Sequence, residues 1–272
     1  MQIDRGDTTI GLAGDWHGNG GWTRRKLRQF ARAGVRTVHQ LGDFGIFIGA
    51  AQLGYIMEIE RHCAFNDIHL WITPGNHEDW DYLDALFRVD GGAEPQYLVP
   101  RNAHGFQSDH IHVLPRGYRW HHAGRSFVSA GGAPSIDYQF RERGVDWWPN
   151  EQLPEEKANE IAAAGHAEIM LAHDMPDLDA AVLRDTLAPR VSVVGAWPAP
   201  ALHYVAEGRR RLSIAYEGVR PKLLAHGHYH RSGDEQIPGG ARVLSLDMDE
   251  SAGNALTLDL TAADFGVNWL GD

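Results

Sequence analysis

Pro74-Gly75-Asn76-His77-Glu78 closes a short apolar run, Ile68-His69-Leu70-Trp71-Ile72. The run reads as a buried strand, and Pro74 and Gly75 stop it. Asn76 and His77 are therefore held on a tight loop at a strand end. Asparagine offers a neutral carbonyl oxygen; histidine offers a ring nitrogen and a titratable proton. One suits a metal ion and the other a substrate, although Gly-Asn-His also makes an ordinary turn. The meaning of the stretch depends on how the other strands end.

Upstream, Thr8 to Ala13 reads as a first strand ending in Gly14-Asp15-Trp16-His17-Gly18-Asn19. Asp15 and His17 are two apart and share one side of extended backbone. Trp22 to Ala33 has helical spacing, with Leu27, Phe30 and Ala31 inward and Gly34 as its stop. Its Arg24, Arg25, Lys26, Arg28 and Arg32 read as a solvated face. Val35 to Leu41 is a second strand, ending in Gly42-Asp43-Phe44-Gly45. Strand, helix and strand within about 30 residues make a βαβ unit with parallel strands. Asp15 and Asp43 then arrive at the carboxyl edge of one sheet, where ligands bind in open α/β sheets. Ala50 to Phe65 and Asp79 to Phe87 read as helices, the second capped by Asp79.

Downstream, His110 to Leu114, Tyr118 to Trp120 and Ser126 to Ser129 read as antiparallel strands of a second sheet. His110 and His112 share a strand face that is either solvated or metal-binding. The long loop from Gly131 to Pro149 carries Arg141, Arg143, Trp147 and Trp148. These could form a substrate wall, arginine for phosphate and tryptophan for a ring; the tryptophans could equally anchor the loop. Pro154 to Ala164, Asp177 to Leu187 and Leu202 to Tyr216 read as helices, with Arg209-Arg210-Arg211 as a solvated cluster. The strand Ala167 to Ala172 ends in His173-Asp174, and Lys222 to Ala225 ends in His226-Gly227-His228-Tyr229-His230. Arg242 to Asp247 and Ala255 to Leu260 read as a closing pair of strands. No linker or repeat interrupts the chain, so one domain over residues 1–272 is expected.

The chain of 272 residues, 43% hydrophobic and 22% charged, has the composition of a soluble globular protein. No apolar run approaches the roughly 20 residues of a membrane span, and the N-terminus has no apolar signal region. Cys63 is the lone cysteine, so a reducing, cytoplasmic setting without disulfides is expected. A net charge of −11 argues against non-specific nucleic-acid binding, which needs a positive surface. It leaves room for a small phosphorylated substrate if bound cations reverse the charge locally.

Strand ends thus carry Asp15 and His17, Asp43, Asn76 and His77, His173, and His228 and His230. In this order the motifs resemble those of the calcineurin-like metallophosphoesterases: Asp-x-His, Gly-Asp, Gly-Asn-His-Asp/Glu, His, Gly-His-x-His. The resemblance spans Asp15 to His230. It implies an α/β fold, a four-layer αββα sandwich of two mixed sheets packed face to face between helices. It implies one metal ion on Asp15, His17, Asp43 and His230, and a second on Asp43, Asn76, His173 and His228, with Asp43 bridging. Oxygen and imidazole donors without thiolates suit manganese, iron(II/III) or zinc. By the resemblance, a hydroxide shared between two cations about 3.5–4 Å apart attacks phosphorus in line, and His77 contacts the phosphoryl group or protonates the leaving oxygen.

The substrate implied is a phosphomonoester or phosphodiester, a nucleotide or cyclic nucleotide among them. Asn76, His77, Arg141, Arg143, Trp147 and Trp148 are its candidate contacts. Two alternatives are a protein serine/threonine phosphatase and a non-catalytic binding module on the same fold. The first is disfavoured because Phe44-Gly45 follows Asp43 where that branch has an Asp-Arg-Gly sequence. The second is disfavoured because no ligand is missing.

Overall fold

The computed structural model describes residues 3–47, 50–89, 91–99, 108–187 and 197–271. Strands β1 (Thr9–Ala13), β2 (Thr37–Gln40) and β3 (His69–Ile72) run parallel. Helices α1 (Gly20–Arg32) and α2 (Ala50–Asn66) connect them, and α3 (Trp80–Arg88) follows, its N-terminus capped by Asp79 accepting from Tyr82 N. Strands β4 (Gln96–Tyr97), β5 (Ile111–Val113), β6 (Arg119–His122) and β7 (Arg125–Ala130) come next, then α4 (Glu155–Ala163) and β8 (Ile169–Ala172). Helices α5 (Ala181–Leu187) and α6 (Ala199–Val219) precede β9 (Leu223–His226), β10 (Gly233–Gln236), β11 (Arg242–Ser245), β12 (Ala255–Asp259) and β13 (Gly266–Trp269).

The strands form two mixed sheets. One is ordered β13-β12-β1-β2-β3-β5-β4 and the other β10-β11-β9-β8-β7-β6. Because side chains alternate along a strand, each central strand feeds two cores. Ile10, Leu12 and Trp71 of the first sheet meet Phe127, Ile169, Leu171 and Leu223 of the second. The opposite faces, Ala13, Leu70 and Ile72 against α1 to α3, and Val128, Met170 and Leu224 against α4 and α6, form the outer cores. Three cores separate four layers, an αββα sandwich. At Gly11 an added Cβ would lie 2.6 Å from Phe30 Cε1, so the absence of a side chain there lets α1 sit close on the sheet. Among the described residues no helix is long and apolar enough to cross a membrane.

Several local readings need correction. The segment around Ile111 joins the first sheet, parallel to β3, and not the second. His112 is buried there, stacked 4.1 Å from Trp71, while His110 is held by Glu60; among the described residues neither belongs to a group able to hold a metal ion. Arg242–Ser245 and Ala255–Asp259 lie in different sheets, because β11 pairs with β9 and β12 with β1. Lys26 is buried with its ammonium 4.4 Å above the Trp22 ring, and Arg209 is also buried. Helix α5 starts at Ala181 rather than Asp177.

His39, on β2, projects into the core between the sheets. It stacks on Trp120 and Phe127 and has no hydrogen-bond partner at either ring nitrogen. Burial, reinforced by His122, pushes it down to about 3. An unfolded histidine titrates near 6.5. The unfolded chain therefore binds this proton first as pH falls, and stability present above pH ~6.5 is lost progressively towards pH 3. His39→Phe keeps the stacked ring and removes the titration. Urea unfolding of the metal-free variant at pH 7, 5 and 4 is expected to show a smaller loss of stability than the wild type.

Candidate metal centre

The motif side chains stand on turns immediately beyond β1, β2, β3, β8 and β9. Four of them, His17, Asp43, His228 and His230, have φ between 45° and 69°, a left-handed backbone that non-glycine residues seldom adopt. The turns are held by one another. Trp16 N and His17 N both donate to Asp43 O, at 3.0 and 2.8 Å, and His228 N donates to Asp15 Oδ1 at 3.2 Å. His77 N donates to Asp43 Oδ1 at 2.9 Å. The side chain of Asn254 donates to Asp15 O and accepts from the indoles of Trp16 and Trp22.

Asp15 and Asp43 are buried, and the histidines converge on them. Asp43 Oδ1 lies 3.4 Å from His173 Nε2, while its Oδ2 lies 3.7 Å from His17 Nε2 and 3.9 Å from His77 Nε2. Asp15 Oδ2 lies 3.1 Å from His230 Nε2. His173 Nε2 is 3.0 Å from Asn76 Oδ1, and the His173 and His228 rings are 5.0 Å apart. Among the described residues, Asp15, His17 and His230 form one group able to hold a cation, and Asp15, Asp43 and His173 another, with ligand atoms within 4.8 Å of one another. Asp15 is common to both, and Asp43 turns one oxygen towards each half.

The donors fit metal ions on chemical grounds. His173 Nδ1 donates to Leu41 O at 2.6 Å and His17 Nδ1 donates to Asp249 Oδ1 at 2.9 Å, so each ring presents Nε2 to the carboxylates, as metal-ligating histidines do. Two buried carboxylates also call for positive charge nearby. Burial alone would lower His173, yet Asp43 and Asp15 push it up to about 10. Burial holds His228 well below its ordinary range, leaving a neutral ring with a free lone pair.

The loop residues separate. Arg141 is clamped by Asp137 at 2.6 and 2.8 Å, and its Nη2 lies 3.4 Å from His77 Nε2. Arg143 is exposed, and Trp147 donates from Nε1 to Glu151 at 3.1 Å. Trp148 is buried in the core beneath the first sheet, so it anchors the loop and cannot line a substrate wall.

Sequence reading missed the groups behind the ligands. Glu78 is buried and accepts from Asp43 N, Gly45 N and Gly75 N; burial, with Asp43 adding to it, pushes its carboxyl up to about 7. Its place directly after His77 was the available signal. Asp249 and Glu151 carry no such signal, being on irregular segments far from the motifs. Tyr229 OH donates to Asp174 Oδ1 at 2.7 Å, tying the last turn to the residue after His173.

Residues 8–232 match the family model of the calcineurin-like phosphoesterases. A comparison with curated protein sequences gives no match. Among solved structures, TT1561 of Thermus thermophilus is similar with a TM-score of 0.57 at 13% identity, over 96% of this chain and 98% of that one. A dimetal phosphatase from Danio rerio gives 0.56 at 13% identity, over 97% and 96%. GAP50, the anchor in the inner membrane complex of Plasmodium, gives 0.52 at 11% identity, over 97% and 85%. At these identities the likeness is one of fold.

Two glycines leave room for the carboxylates. A Cβ at Gly75 would lie 2.2 Å from Asp43 Oδ1 and 2.4 Å from Asp43 N; one at Gly227 would lie 2.2 Å from Asp15 Oδ1. Gly75→Ala and Gly227→Ala are each expected to displace a carboxylate and abolish uptake of at least one metal ion by elemental analysis. Gly54→Ala, on α2 with nothing within 4 Å, should take up metal like the wild type.

Proposed function

The chain belongs to the calcineurin-like phosphoesterase family, and from that premise we propose that it hydrolyses small phosphate esters with two transition-metal ions. The observation that carries this reading is the placement of His77 and Arg141 beside a complete set of candidate ligands. We assign Asp15, His17, Asp43 and His230 to one ion, and Asp43, Asn76, His173 and His228 to the other; manganese, iron or zinc suits these donors. Bound there, such ions supply Lewis acidity, activating water and neutralising charge on the phosphoryl oxygens.

The remaining work falls to the chain itself. Arg141 presents a guanidinium already fixed by Asp137, so little side-chain freedom is lost when it grips phosphate oxygens. His77 is anchored at its backbone by Asp43, which aims the ring at the margin of the cluster. Burial lowers the His77 pKa, and Arg141 lowers it further against the pull of Asp43. The neutral ring can hydrogen-bond a phosphoryl oxygen through its N–H, whereas protonating the leaving oxygen requires the imidazolium, which the lowered pKa makes the minor form near neutral pH. Arg143 and Trp147 lie further out on the same loop and would meet the alcohol portion of the ester, for which a nucleoside is our candidate. Given the net charge of −11, the bound cations and Arg141 would be the source of local positive potential. A cytoplasmic setting fits the lone, buried Cys63.

A non-catalytic role is the second reading. The Plasmodium neighbour is described as an anchor, so fold alone does not decide between them. Retention of His77 along with all candidate ligands favours the enzyme.

Chelation of the purified protein is expected to remove activity, and manganese to restore it; full activity in excess chelator would end this reading. Asp43→Asn should lose both ions and His17→Ala one, read by elemental analysis. His77→Ala should keep its metals. A group that protonates the leaving oxygen contributes about 10²–10⁴-fold. The variant should therefore lose that much kcat/KM on a nucleoside phosphate ester and distinctly less on an activated aryl ester. Equal losses on the two would leave His77 only a phosphate-orienting role.

A further inference from the structure

Glu151 sits at the end of the loop that carries Arg141, buried, and is surrounded by donors. Its Oε1 accepts from Ser135 N at 2.7 Å, Trp147 Nε1 at 3.1 Å and Tyr204 OH at 2.9 Å; its Oε2 accepts from Ser135 Oγ at 2.7 Å. A carboxylate only accepts, so the direction of every bond in this network follows from it. Ser135 has one hydroxyl proton and gives it to Glu151. Its oxygen must then accept, and the donor is Asn76 Nδ2 at 2.9 Å. With its amide nitrogen turned to Ser135, Asn76 turns Oδ1 the opposite way, to within 3.0 Å of His173 Nε2.

We infer that Glu151 is a positioning residue that, through Ser135, fixes which end of the Asn76 amide faces the metal centre. The inference rests on the reading of Asn76 as a ligand. A half-turn of the amide would replace a carbonyl oxygen with an NH₂ group that cannot bind a cation. The two ends of an asparagine are nearly equal in shape, so packing does not select between them; a hydrogen-bond chain of defined polarity does. Nothing in the motif sequence supplies that polarity. It comes from a residue 75 positions downstream, on the loop that also presents Arg141.

The direct test is Mn²⁺ titration of metal-stripped protein by calorimetry, with thermal melting of the stripped forms alongside. Burial pushes Glu151 up to about 7 against its four donors, so the titration is run at pH 8, where the carboxylate is held. Glu151→Gln places an NH₂ group in the network and lets its polarity reverse. Ser135→Ala removes the relay while leaving Glu151 its bonds to Trp147 and Tyr204. Both variants are expected to weaken one of two Mn²⁺ sites about 10–100-fold, the usual effect of losing a group that orients a ligand, and to leave the other within twofold.

Asn76→Asp separates orientation from general loosening of the loop. A carboxylate has two equivalent oxygens and needs no orienting, so in that background Glu151→Gln should leave the site unchanged or tighter. Wild-type protein that takes up no Mn²⁺ would overturn the metal-centre reading and this inference with it. Wild-type protein with two sites, and Glu151→Gln and Ser135→Ala variants with the same two affinities, would overturn this inference alone. Equal weakening by Glu151→Gln in the native and Asn76→Asp backgrounds would likewise overturn it and leave Glu151 a structural role.

Discussion

Asp15 and Asp43 are two carboxylates buried in one cluster, and like charges in a low-dielectric interior repel strongly. Left alone they would push their turns apart. The two sheets meet around them in a way that resists this. The first sheet delivers the carboxylates on neighbouring parallel strands, and the second delivers His173, whose Nδ1 is bonded to Leu41 O of the first sheet at 2.6 Å. This one bond crosses the sandwich beside the charges. It orients the ring and ties the two sheets together where their repulsive contents lie. The αββα arrangement thus brings two sets of strand ends to one place, which a single sheet could not do.

Holding these groups costs backbone strain. Left-handed conformations at His17, Asp43, His228 and His230 cost roughly 1–2 kcal/mol per non-glycine residue. Such residues persist where the surroundings over-determine them. Here Asp43 O accepts two backbone N–H groups, Glu78 collects three, and Asn254 pins the Asp15 turn to the loop after β11. The polar residues around the cluster thus work as scaffolding as much as chemistry. Glu78 illustrates this: it accepts from three backbone N–H groups, and without it the Asp43 and Gly75 turns would hold unsatisfied buried N–H groups.

Much of this was legible in the sequence because it is local. Glycine and proline after a short apolar run mark a strand end, and a βαβ unit sets parallel direction, so the common edge carrying Asp15, Asp43 and Asn76 could be worked out from neighbouring residues. Sheet membership could not. The segment at Ile111 has the same alternation whether it pairs with β3 or with β7, and the choice depends on contacts far away in the chain. The closing strands failed for the same reason: β11 and β12 are adjacent in sequence but each pairs with a strand made long before. Polarity misled where it was used as a proxy for exposure. Lys26, His112 and Arg209 are all buried, His112 by stacking on Trp71 and Lys26 over Trp22. Ser135 and Glu151 are 16 residues apart, and Ser135 reaches the candidate ligands through Asn76, a relation that no spacing rule encodes.

The candidate ligands and the candidate substrate contacts are held by different means, and this bears on how such a site can change. The ligands stand on turns at the ends of buried strands, where a small shift is resisted by close contacts at Gly42, Gly75 and Gly227. Arg141 and Trp147 stand on a loop held by side-chain hydrogen bonds and by the buried indole of Trp148. Substitutions at exposed points of that loop, such as Phe140, Arg143 and Val145, meet few packed neighbours, so their cost to stability should be small. The candidate substrate-facing surface can therefore vary while the cluster stays fixed. Glu151 limits that freedom, since one carboxylate receives both Ser135, which holds Asn76, and Trp147, which holds the loop. Changes that move the loop far enough to pull Glu151 will reach the cluster as well. The candidate ligands and the candidate substrate contacts of this chain are thus separable only up to that shared hydrogen-bond acceptor.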